Sequence, residues 1–136
     1  MKKLLILLLF TVFSYTAFCQ SNVIGRSKRE VIQLLRDNDI AYQIAKDGHI
    51  TYRLGDMYMY SYFDEKGKCI LNKSISGVQS EEDKQWIIQN FCGGSKKSTS
   101  GQDIICYSDG CKYTITFKRS DAFKTGWACI IKEELN

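Results

Sequence analysis

Several things are scarce in this 136-residue chain. It has no proline, one histidine, no Cys-x-x-Cys pair and little net charge. Without Cys-x-x-Cys, neither a thioredoxin-like redox motif nor a structural zinc site is indicated. His49, which follows Asp47-Gly48 in a turn, must act alone if histidine chemistry is used at all. The stretch GGSKKST lacks the second glycine with which a phosphate loop wraps its ligand in backbone amides. No cofactor or metal motif replaces it. Asp64, Glu65, Glu81, Glu82 and Asp83 sit in a turn and in the first turn of a helix, where solubility and the helix dipole account for them.

One long apolar run is present, Leu4 to Phe13, preceded by Lys2 and Lys3. It is short for a membrane span and has the order of an export signal. Ala17 and Cys19 occupy the −3 and −1 positions for cleavage before Gln20. This predicts a leader over 1–19 and a mature domain over 20–136, with no transmembrane segment left. A second reading makes Cys19 the lipidated cysteine of a bacterial lipoprotein, against which the bulky Phe18 argues. Either way the product is exported, to the periplasm, the outer surface or the medium.

Removing the leader leaves 136 − 19 = 117 residues, enough for one domain with one core. Two lysines leave with it, so the formal charge falls from +4 to +2. That balance gives no reason to expect nucleic acid or an anionic membrane. Five cysteines remain, Cys69, Cys92, Cys106, Cys111 and Cys129, and an oxidising compartment favours bridges among them.

Ser27 opens SKREVIQLLRDND, in which Glu30 completes a capping box and Val31, Leu34 and Leu35 form an apolar stripe. Ser80 and Asp83 repeat the device more weakly, ahead of a stripe of Trp86, Ile87 and Phe91 that ends at Gly93-Gly94. Strands follow each helix. AYQIAKDGHITYRL and DIICYSDGCKYTITF each carry Asp-Gly between two β-prone segments, a strong hairpin signal. GGSKKSTSGQ reads as a flexible connection between the halves. The expected fold is α+β, with two helices packed on one face of a mostly antiparallel sheet and an αββββ-αβββ order that a diverged duplication would produce.

The segment MYMYSYF, Met57 to Phe63, is apolar or aromatic on both faces of a strand. With Gly55-Asp56 as a two-residue turn, Leu54 pairs with Met57, Tyr52 with Met59 and Arg53 with Tyr58. Ile50, Tyr52, Leu54, Met57, Met59 and Phe63 then face the core. Thr51 and Arg53 share the other face with Tyr58, Tyr60 and Tyr62. A type I turn at DEKG, with Gly67 in the left-handed position, extends the register: Cys69, Leu71 and Ile75 join the core, while Ile70, Asn72 and Ser74 join the tyrosines. Each tyrosine can cover on the order of 150–250 Å², so the stripe with Arg53 is a candidate face for a protein, peptide or glycan partner. The competing reading has the rest of the domain cover it, with tyrosine present for its β propensity.

Cys106 and Cys111 flank the second Asp-Gly turn, on one face and near bridging range, and are the favoured disulfide. Cys69, Cys92 and Cys129 are left as buried thiols or one further pair. Asn72-Lys73-Ser74 is a glycosylation sequon only in a eukaryotic host.

IGRSKREVIQLL resembles the opening of small exported domains of the SmpA/OmlA type, similar in shape to β-lactamase inhibitor proteins. Gly25, Ser27, Glu30, Val31 and Leu34 carry the resemblance. RDND stands where the Gly-x-Pro of that family often ends the helix. The resemblance implies binding or assembly rather than chemistry. Two functions are therefore expected from the sequence. The first is a non-catalytic exported binding module of the inhibitor, immunity or envelope-assembly kind, acting through Arg53, Tyr58, Tyr60 and Tyr62. The alternative is a small cysteine-dependent exported enzyme with His49 as base.

Overall fold

The computed structural model describes residues 23–108 and 110–135. The expected leader, its cleavage point and Cys19 lie outside the described residues. Helix α1 is Lys28–Asp37, followed by strands β1 (Tyr42–Ile44), β2 (Ile50–Leu54), β3 (Met57–Phe63) and β4 (Cys69–Gly77). Helix α2 is Glu81–Cys92, followed by β5 (Lys97–Ser100), β6 (Asp103–Ser108), β7 (Cys111–Arg119) and β8 (Trp127–Leu135). The strands form one antiparallel sheet of eight in the order β1-β2-β3-β4-β8-β7-β6-β5. The α+β expectation holds at that level.

The helix starts follow from local chemistry. At α1 the Ser27 hydroxyl accepts from the Glu30 amide at 3.2 Å, and the Glu30 carboxylate accepts from the Ser27 amide at 2.7 Å. Two amide donors are thus satisfied reciprocally. At α2 the shorter Asp83 misses its own cap and takes the Gln79 amide instead, at 3.0 Å, while its amide donates to the Ser80 hydroxyl. Helix α1 ends at Asp37 with Asn38 as its cap, and Asp39 beyond it adopts φ 55°, a left-handed conformation that Asp tolerates.

Two hydrophobic clusters hold the fold. Val31 and Leu35 of α1 lie with Ile50, Tyr52, Met59 and Cys69 in one. Cys92 of α2, with Ile87 and Phe91 against it, lies in the other with Cys106, Tyr113, Ile115, Cys129 and Ile131. Trp86 does not join them, and its side chain is 67% exposed. On a helix it lies about 100° from Ile87, so α2 cannot turn both inward with Phe91.

GGSKKSTSGQ contains β5, so four strands follow α2 rather than three. Lys97–Ser100 pairs along β6 as an edge strand whose four residues are all exposed. Its polar sequence carries no burial pattern by which a strand would be recognised.

The β2–β3 register is the expected one, Leu54 with Met57 and Arg53 with Tyr58. The next turn also forms as expected, with Gly67 at φ 76° and the Asp64 amide donating to the Lys68 carbonyl at 2.9 Å. The register then breaks. Phe63 pairs with Cys69 but Tyr62 with Leu71, so Ile70 is an extra residue on β4. One inserted residue reverses every side chain beyond it. Cys69 stays in the core, but Leu71 and Ile75 move to the tyrosine side, and Asn72 and Ser74 move to the opposite side. Ser61 donates to Asn72 there at 3.1 Å.

Candidate binding face

The sheet register sorts the side chains into two sets. On one side lie both hydrophobic clusters and the residues in register with them. Where the clusters meet, this side turns polar. Asn72 stands opposite Glu133, Ser74 opposite Ile131, and the Tyr113 hydroxyl donates to the buried Glu133 carboxylate at 3.2 Å. The Cys92–Cys106 disulfide is also here, with Cα atoms 5.6 Å apart.

That bridge corrects the expected Cys106–Cys111 pair. The hairpin pairs Ser108 with Cys111 and Cys106 with Tyr113. It leaves Cys106 and Cys111 diagonal rather than opposed, and diagonal neighbours are typically about 7–8 Å apart. Cys92, at the end of α2, comes down onto Cys106 within bridging range. The Cys69 and Cys129 thiols are buried on this same side, and burial pushes each up to about 12.

The other side carries the predicted site. Arg53, Tyr58, Tyr60 and Tyr62 fall on it together, and none of the tyrosines belongs to either hydrophobic cluster. Tyr58 is 43% exposed, and Tyr60 and Tyr62 are half-buried. The Arg53 guanidinium lies over the Tyr58 ring at 4.9 Å, a cation–π contact that covers the ring from one side. His49 stacks on Tyr62 at 4.8 Å, and its Nδ1 contacts the Asp47 carboxylate. The backbone and side chain of His49 hold the Asp47 carboxyl below its usual range. His49 is thus occupied as a ring partner, on the opposite side of the sheet from Cys69 and Cys129.

Sequence reasoning missed half of this face, because the bulge at Ile70 carries Leu71, Lys73 and Ile75 onto it. The next strand adds Ile130 and Lys132, through the pairs Ile75 with Ile130 and Lys73 with Lys132. The Lys73 ammonium lies 5.9 Å from the Tyr60 ring centre. The only signal for these residues was the alternation of Leu71, Lys73 and Ile75 against Asn72, Ser74 and Ser76, which two registers satisfy equally.

At one end of the face β1 reaches only to its first residue, Tyr42, opposite Tyr52, while β2 runs on to Leu54. The step leaves a recess of about 480 Å³ walled by Tyr42, Gln43, Thr51, Arg53, Tyr58 and Tyr60. A second aromatic feature lies on the cluster side. There Trp127 is flanked by Lys84 at 4.8 Å and Arg119 at 5.7 Å, and Lys84 is already paired with Glu81 at 2.7 Å.

Among the described residues no cluster of His, Cys, Asp and Glu could hold a metal ion, and no helix is long and apolar enough to cross a membrane. Comparison with protein-family models, with curated proteins and with solved structures found no match.

Proposed function

We propose that this chain is an exported, non-catalytic binding module that engages a partner through the strand face bearing Arg53, Tyr58, Tyr60 and Tyr62. In this reading α1 and α2 both cover the opposite face, each as the lid of a helix-plus-four-strand unit, and the two units descend from a duplication. The observation that carries the proposal is the composition of the uncovered face. Tyrosine and arginine are the residues that most often anchor protein interfaces, and here they stand in adjacent rows outside both hydrophobic clusters. The disulfide is in keeping with an oxidising compartment, and hence with the expected leader. The SmpA/OmlA-like opening fits the same class of role, as inhibitor, immunity or envelope-assembly protein.

At Cys69 and Cys129 the geometry does not favour the alternative of cysteine catalysis. A reactive thiol needs a lowered pKa and a nearby base, whereas Cys69 and Cys129 are pushed the other way and lie across the sheet from His49.

The test is affinity capture from envelope extracts, with the protein and its Tyr58/Tyr60/Tyr62 triple alanine variant as paired baits. The proposal expects a partner held by the first bait and lost from the second, with unchanged circular dichroism. Identical capture lists from two folded baits would contradict it.

A further inference from the structure

Resting on that reading of the face, we infer that the partner is an acidic polypeptide surface whose carboxylates are received between Lys73 and Lys132. These two lysines stand directly opposite each other on β4 and β8, the strands at the middle of the sheet. Like charges in that position repel, and a sheet gains nothing from them in isolation. Where a local rule is broken without compensation inside the fold, function is the usual reason.

No ion pair offsets the repulsion here. Among the described residues neither lysine, nor Arg53, forms an ion pair with a carboxylate. The acids on this face have other partners: Asp103 accepts from the Thr116 hydroxyl, Asp47 contacts His49, and Glu134, diagonal to Lys73, stands directly opposite Lys112. The face therefore presents Arg53, Lys73 and Lys132 without an ion pair, the first two over tyrosine rings, beside the half-buried Ile75 and the largely buried Ile130. Such a surface complements carboxylates flanking apolar side chains, which an acidic protein segment offers. Sulfated glycans offer the charge without the apolar groups, and anionic lipids in a bilayer keep theirs beneath the headgroups.

The experiment measures fluorescence anisotropy with the protein purified after export. The probe is a fluorescein-labelled peptide of glutamate and leucine, compared with its counterpart carrying glutamine for every glutamate. Heparin and phosphatidylglycerol vesicles serve as competing anions. The inference expects the glutamate peptide to bind about tenfold tighter than the glutamine peptide. It expects the K73Q/K132Q variant to lose about that factor while its melting temperature holds or rises. Equal binding of both peptides, no binding of the glutamate peptide, or an unaffected K73Q/K132Q variant would overturn it. So would heparin or vesicles binding through these lysines where the peptide does not. Tyr60→Ala separates the two levels. If the peptides bind equally but Tyr60→Ala weakens both, the acidic partner falls and the face stands; if no probe responds to Tyr60→Ala, the face falls too.

Discussion

Cys69 and Cys129 show how far burial sets the behaviour of a side chain. Both thiols lie in the core, and desolvation of the thiolate raises each from an ordinary value of 9.0 to about 12. Between those values the unfolded chain gives up thiol protons that the folded chain keeps. The contribution to stability is therefore complete below about pH 9 and declines as pH rises towards about 12. Buried Tyr52, also shifted upward by desolvation, adds an effect of the same sign. The urea midpoint should fall along this alkaline limb, and Cys69→Ala with Cys129→Ala should flatten it. Iodoacetamide at pH 8 should label neither cysteine in the native state and both in urea; rapid native labelling would contradict the account. Lys73 makes the opposite point, since its conflict is with a neighbour rather than with the solvent. Lys73→Glu replaces repulsion from Lys132 with attraction and should stabilise the free protein by about 0.5 kcal/mol in urea titration. A loss of stability would mean that the pair is compensated in some other way.

At the scale of elements, the disulfide ties α2 to β6 across a sequence separation of 14. Closing a loop of that size is worth about 3 kcal/mol in the chain-entropy model. The Cys92→Ala/Cys106→Ala variant should lose about that much in chemical denaturation, and a loss below about 1 kcal/mol would place the helix on the sheet by packing alone. Trp86 should matter little to the same helix. Trp86→Ala is expected to change stability by less than about 0.5 kcal/mol, whereas Phe91→Ala should cost several times more. Legibility in the sequence divides along the same lines. The two helix starts and the hairpin turns could be read because each is decided within a few residues, by Ser27 with Glu30 or by Gly55-Asp56. The rest depended on something no local pattern encodes. One extra residue at Ile70 reversed the faces of Leu71 and Ile75. A polar edge strand at Lys97–Ser100 is paid for by its neighbour rather than by burial. Cys106 found a partner on a helix that precedes it by a whole strand, not across its own turn. The Arg53 and tyrosine half of the candidate face was legible, and the Lys73 and Lys132 half was not, because only the second lies beyond the bulge.

Across the whole molecule the two hydrophobic clusters sit side by side and meet at a polar seam of Asn72, Ser74, Tyr113 and Glu133. β4 and β8 join the halves there by a continuous antiparallel ladder, from Leu71 with Glu134 to Gly77 with Ala128. That arrangement makes one uninterrupted strand surface out of two helix-plus-four-strand sets, and it places the lysine pair at the junction. A strand surface spanning both halves is then a property of the assembled sheet, which neither set could present alone. Limited iodination of the tyrosines, read by mass spectrometry, tests this most directly. Tyr58, 43% exposed, should be modified well before Tyr52 and Tyr113, which are 6% and 4% exposed, and it should be protected once the captured partner is bound. Early modification of Tyr52 or Tyr113, or a Tyr58 that stays reactive in the complex, would contradict the account.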